Sequence, residues 1–127
     1  MDTDTCSAYL KGNRRVFNRL IQHAGGLHVS VITLGELYTW ALRAKASPDR
    51  LYKLNGLLDD LVVLDVTFHV ARRFGELRAE LLDKGLPPPE MDLLIAATAL
   101  THDLTVVTHN TQDFAHVGGL RTLDWLI

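Results

Sequence analysis

Apolar residues recur along the chain in two rhythms, one spaced at three and four residues and one in short unbroken runs, and their alternation predicts helices and strands in turn. Asn13 is placed to cap a helix through Val16, Phe17, Leu20 and Ile21, and Gly25-Gly26 supplies a left-handed stop after it. His28-Val29-Ser30-Val31 reads as a short strand. Thr33 then opens a helix with Leu34, Leu37, Tyr38, Ala41 and Leu42 on one face. Ser47-Pro48 starts another, serine as cap and proline in the first turn, through Leu51, Leu54, Leu57 and Leu58, so that the two make a helical hairpin.

Leu61-Val62-Val63-Leu64 has the composition of a strand buried on both faces. Thr67 is placed to cap a helix carrying Val70, Ala71, Phe74, Leu77, Leu81 and Leu82. Gly85 ends it, and Gly85-Leu86-Pro87-Pro88-Pro89 reads as one rigid connection. A helix from about Glu90 carries Leu93, Leu94, Ala97 and Leu100, Leu104-Thr105-Val106-Val107 forms the next strand, and a last short strand falls near Arg121-Thr122-Leu123. Such an alternation builds an α/β fold of three layers, a central, mostly parallel sheet flanked by helices, in one domain spanning residues 1–127.

Composition narrows the classes of function. A chain of 127 residues, 47% hydrophobic and 22% charged, can bury one continuous core and is neither disordered nor fibrous. Cys6 is the only cysteine, which excludes an intrachain disulfide and a multi-cysteine zinc site and fits a reducing cytosol. No apolar run approaches the ~20 residues of a membrane helix, and Met1 to Leu10 lack the pattern of a signal peptide, so a cytoplasmic protein with no membrane partner is expected. The net charge of -2 argues against coating nucleic acid by bulk electrostatics. Charge is nevertheless uneven, +4 over residues 1–53 and -6 over residues 54–127. Lys11, Arg14, Arg15 and Arg19 in one segment, and Arg43, Lys45, Arg50 and Lys53 in another, are either a local basic surface or ordinary solvated helix faces.

Four acids occupy corresponding places in this layout: Asp2 before the first helix, Glu36 and Asp92 each in a first helical turn, and Asp113 just after a strand. In a parallel α/β sheet, strand ends and the starts of the following helices gather at one edge, where ligands bind. Each acid alone also has a plain structural reading, because carboxylates at helix starts satisfy free N–H groups and the helix dipole. Thr33-Leu34-Gly35-Glu36 even fits a capping box, with Glu36 reaching back to the Thr33 amide. Spacing alone does not decide whether the four meet. Carboxylates that did meet would repel one another unless a divalent cation neutralised them, and Mg²⁺ or Mn²⁺ prefers such hard oxygen ligands.

The same residues carry a family resemblance. Asp2-Thr3-Asp4-Thr5-Cys6-Ser7, Ser30-Val31-Ile32-Thr33-Leu34-Gly35-Glu36-Leu37, Met91-Asp92-Leu93-Leu94-Ile95-Ala96-Ala97-Thr98-Ala99 and Val107-Thr108-His109-Asn110-Thr111-Gln112-Asp113-Phe114 resemble, in order and spacing, the successive motifs of PIN-domain nucleases, and most nearly those of the VapC toxins of bacterial toxin–antitoxin pairs. The resemblance implies a PIN-like fold, Mg²⁺ (or Mn²⁺) dependence, endonucleolytic cleavage of RNA with tRNA among the expected targets, a homodimer, and inhibition by a VapB-like antitoxin. By motif position it assigns Asp2, Glu36 and Asp92 to the catalytic, metal-binding acids, with Asp113 or Asn110 as the fourth member. It makes Thr3, Thr108 and Ser7 candidates for hydrogen bonds that orient the carboxylates, Ser7 being equally placed as a helix-start hydroxyl.

One departure from the family pattern concerns the first strand, since only Met1 precedes Asp2 where relatives have several apolar residues. A shortened strand would leave Asp2 on a frayed terminus and its carboxylate loosely placed. A catalytically weak or silent binding module of the same fold is therefore the alternative to an enzyme. A nucleotide binder is disfavoured by the lack of a glycine-rich phosphate loop, and a histidine metal site by the lack of ligand spacing among His102, His109 and His116. Trp40 lies off the apolar face of its helix and suits either an interface or packing against the following helix, and Trp125 suits a core or a dimer contact.

Overall fold

The computed structural model describes residues 1–86 and 89–127. Local chemistry sets most element boundaries. The Asn13 side chain accepts from the Arg15 and Val16 amides and caps α2 (Arg14–Gln22), which follows α1 (Thr3–Leu10). Ser47 accepts from the Asp49 amide at the head of α4 (Pro48–Leu58), and Thr67 accepts from the Val70 amide at the head of α5 (Phe68–Asp83). Gly85, with φ of 69°, takes the left-handed conformation that ends α5. The rigid connection expected over residues 85–89 lies in part outside the described residues, at Pro87 and Pro88.

Two boundaries depart from expectation. Strand β1 is His28–Ser30, and the helix α3 (Val31–Leu42) begins two residues before Thr33 because the Ser30 hydroxyl accepts from the Ile32 amide and serves as the cap. No capping box forms. Glu36 therefore lies in the second turn, and Thr33 is fully buried, its hydroxyl without a hydrogen-bond partner among the described residues. Leu42, expected on the apolar face with Leu37 and Ala41, is 64% exposed at the helix end.

Strand β2 (Val62–Leu64) pairs in parallel with β1, Val29 opposite Val63, and β3 (Val106–Val107) pairs in parallel with β4 (Thr122–Leu123). The run expected to be buried on both faces is instead an edge, with Val62 53% and Val63 37% exposed, and among the described residues β2 pairs with β1 alone. No strand precedes α1 among the described residues. The space between the two strand pairs is bridged by two residues: the Met1 backbone nitrogen donates to the His28 carbonyl at 2.9 Å, and the Asp2 amide to the Val107 carbonyl at 3.0 Å.

Helices cover this split sheet with two apolar clusters. Cys6, Val16, Val29, Leu37, Leu54 and Leu57 anchor one, with Trp125 stacked on His23 at 5.5 Å. Trp125 is thus a core residue, and Trp40 packs against α4 beneath the Arg50 guanidinium, 5.0 Å from its ring. The second cluster joins α5 to α6 (Glu90–Thr101) through Val70, Leu77, Leu81, Leu93 and Ala97. Helix α6 buries Ile95 to Ala99 without a break, as the middle element between the strands and α5. Among the described residues no helix is long and apolar enough to cross a membrane.

Candidate active site

Every acid singled out from the sequence is delivered to the same edge of the split sheet. Asp2 caps α1, its Oδ1 accepting from the Thr5 amide at 2.9 Å, and is only 5% exposed. The terminus is not frayed: the hydrogen bond to Val107 fixes the Asp2 backbone from one side and the capping bond fixes its side chain from the other. Thr5 adds a second tie by donating from Oγ1 to the Val107 carbonyl at 3.2 Å. Glu36 comes from α3 directly after β1, Asp92 from the first turn of α6, and Asp113 from a 3₁₀ turn (Thr111–Phe114) that follows β3.

Electrostatics show that these carboxylates are neighbours. The Asp92 carboxyl is pushed up to about 6, first by burial and then by the negative charges of Asp113, Asp2, Glu36 and Asp4. Four acids from four elements thus share one field, and Asp4 is a fifth that the sequence reading passed over. It sits in the first turn of α1 and accepts a hydrogen bond from the Asn110 amide group. Two acids two residues apart at a helix start look like ordinary capping chemistry, so only the approach of Asn110 from across the fold marks Asp4 out.

The supporting polar residues divide. Thr3 donates from Oγ1 to Glu36 Oε1 at 2.6 Å, linking α1 to α3 across the site. Thr108 is fully buried at the end of β3, and its hydroxyl accepts from the Asn110 amide at 2.9 Å, which shapes the loop leading to Asp113. Asn110 is turned toward Asp4, whereas Asp113 is exposed and acts on Asp92 through its charge. Ser7 is in the second turn of α1, and among the described residues no hydrogen bond joins its hydroxyl to an acid.

A hard divalent cation suits this donor set. The groups are all carboxylate or amide oxygens, and the one thiol, Cys6, is buried and pushed up to about 12 by that burial. As now hydrogen-bonded, no group of three or more His, Cys, Asp or Glu side chains among the described residues stands close enough to share one ion. That spacing is compatible with Mg²⁺, which keeps several of its waters and takes only one or two carboxylates directly.

Residues 1–120 match the family model for the PIN domain. The chain belongs to the PIN-domain family. Among relatives of this PIN domain, the tRNA(fMet)-specific endonuclease VapC of Shigella flexneri is 35% identical over 126 residues, which is 98% of this chain and 96% of that one. Ribonuclease VapC2 of Haemophilus influenzae is 34% identical over 111 residues, 87% of this chain and 84% of that one. Among solved structures, DNA-bound VapBC from Salmonella typhimurium contains a chain that matches the PIN domain with a TM-score of 0.92 at 34% identity, covering 98% of this chain and 95% of that one. VapBC2 from Rickettsia felis bound to a promoter DNA fragment matches with a TM-score of 0.90 at 31% identity, covering 97% and 95%.

Three residues of the two basic segments share a groove, which Asp59 also lines. Lys11 and Arg14 from the α1–α2 corner and Lys53 from α4 line one open groove of about 780 Å³ with Tyr9, Phe17 and Tyr52. This groove adjoins the C-terminal end of α1, whereas Asp2 is at its N-terminal end.

Proposed function

We propose that this chain is an endoribonuclease, the toxin of a VapBC-type pair, that hydrolyses RNA phosphodiester bonds at the carboxylate edge with Mg²⁺ or Mn²⁺ bound there. The observation that carries the reading is the raised Asp92 carboxyl: Asp2, Asp4, Glu36 and Asp113 all bear on it. So many like charges in one partly buried place are stable only with a cation or a proton among them. Likeness to the Shigella relative favours tRNA as the substrate, and likeness to the VapBC complexes favours a VapB-like antitoxin as the inhibitory partner.

In this reading Asp2, Glu36, Asp92 and Asp113 would hold the ion between them, one or two directly and the others through its waters. A bound Mg²⁺ or Mn²⁺ supplies positive charge that draws the scissile phosphate to the acids and lowers the pKa of the attacking water. The chain's own residues supply position. Asp2 keeps one carboxylate oxygen on the Thr5 amide and leaves the other free to face the site, while Thr3 holds Glu36 by its Oε1. Asn110, fixed at its own amide by Thr108, steadies Asp4 from the opposite wall. No side-chain nucleophile is required, because water attacks phosphorus in line with the leaving oxygen.

A second reading, a PIN fold that binds RNA or antitoxin without cutting, is favoured by the spacing of the acids, no three of which stand close enough to share one ion among the described residues. Purified protein incubated with total tRNA, with Mg²⁺, with Mn²⁺ and with EDTA, separates the two. Cleavage that requires the metal and is lost in Asp92→Asn supports the nuclease. Equal, metal-independent silence of wild type and variant refutes it.

A further inference from the structure

His109 sits beside the acid site, between buried Thr108 and the Asn110 that holds Asp4. Its Nδ1 lies 2.9 Å from Asp124 Oδ2, just past the end of β4. The Asp124 side chain is only 12% exposed, and its other oxygen accepts from the Leu126 amide at 2.8 Å, so the carboxylate is pinned. An ionised carboxylate only accepts, so Nδ1 carries a proton, and in a neutral ring with that tautomer Nε2 is the acceptor. The His109 side chain is 53% exposed, and Nε2 has no partner among the described residues.

An acceptor is the wrong group for a phosphate, whose oxygens also only accept. It is the right group for a ribose 2′-hydroxyl, the donor that distinguishes RNA from DNA. We propose that His109, oriented by Asp124, accepts a hydrogen bond from the 2′-hydroxyl of the nucleotide beside the scissile phosphate and thereby selects ribose over deoxyribose. The inference rests on the ribonuclease reading above. His109 is then a substrate-contacting residue and Asp124 a positioning residue.

The test is a cycle that alters the protein and the substrate in turn. An RNA oligonucleotide spanning the mapped cleavage site is compared with the same strand carrying one 2′-deoxy nucleotide beside the scissile bond. A neutral hydrogen bond corresponds to roughly a five- to tenfold loss in kcat/KM, so the deoxy substrate with wild type and the ribo substrate with His109→Ala each fall by about that factor. The two changes together cost no more than one alone. Asp124→Asn retains a side-chain oxygen for the Leu126 amide, but its amide group donates to Nδ1 and turns Nε2 into a donor. It therefore matches His109→Ala in kcat/KM at unchanged melting temperature, and the ring's ¹⁵N shifts report the exchanged tautomer. His109→Gln, which brings an amide oxygen to the Nε2 position, recovers part of the loss. Losses that multiply, or a His109→Ala variant as fast as wild type, overturn the assignment while leaving the ribonuclease intact. A wild-type protein that cleaves no RNA overturns both.

Discussion

Replacing Asp92 with asparagine should make the metal-free protein more stable, and the gain should depend on pH in a defined way. A carboxyl held at about 6 rather than near its ordinary 3.8 is opposed in ionising, within the folded protein, by about 3 kcal/mol at ~1.4 kcal/mol per decade. Asp92 is only partly shielded from water, and its place in the first turn of α6 lets the helix dipole favour its charge. Screening and the dipole reduce the net to about 1–2 kcal/mol. A raised pKa means that the folded chain binds the proton more tightly than the unfolded chain. The corresponding stability is fully present below about pH 4 and is lost as pH rises through about 6. Asp92→Asn should therefore equal wild type near pH 4 and exceed it by about 1–2 kcal/mol at pH 8, which is roughly 3–8 °C in melting temperature. Urea denaturation in EDTA at pH 4, 6 and 8, with unchanged m-values, measures the difference directly. Two curves that stay parallel from pH 4 to 8, or a variant less stable at pH 8, would refute the crowding of charge on Asp92.

Three further outcomes follow from the same geometry. Thr3→Val removes the hydrogen bond to Glu36 and should lower kcat by roughly three- to tenfold while stability changes by less than ~0.5 kcal/mol; steady-state kinetics beside a thermal melt read both. Leu37→Ala empties a fully buried position under α3 and should cost about 2–5 kcal/mol in chemical denaturation. Val62→Thr should cost under ~0.5 kcal/mol because the residue is on the exposed edge of β2, whereas a hydroxyl placed in a doubly buried strand would be far more destabilising.

The sequence showed most clearly those features that depend on a few adjacent residues. Asn13, Ser47 and Thr67 cap their helices as expected because each hydroxyl or amide meets backbone N–H groups two or three positions on. Glu36 and Asp92 were legible as candidate site residues from motif order, and the charge of Glu36 is among those that raise the Asp92 carboxyl. Val31 and Ile32 are β-branched and favour a strand, so the sequence reads Val31 into it and Thr33 as the helix start; Thr33 instead lies fully buried, and Ser30 caps the helix. Exposure of Val62 and Val63 was not visible because an apolar run does not say how many neighbours its strand will have. Asp4 and Asp124 stayed hidden for a related reason, since their partners, Asn110 and His109, lie 106 and 15 residues away along the chain.

Met1 and Asp2 bridge the strand pairs, and this seam has a mechanical consequence. Glu36 is carried by the β1 side, while Asn110 and Asp113 are carried by the β3 side, and Met1 and Asp2 hold one hydrogen bond to each. Asp2 is at once an acid of the candidate site and the stitch that ties its halves together. Breathing of the sheet along this line changes the spacing of the acids before any helix unfolds, so the Asp2 amide, followed by hydrogen exchange, is a strain gauge for the site.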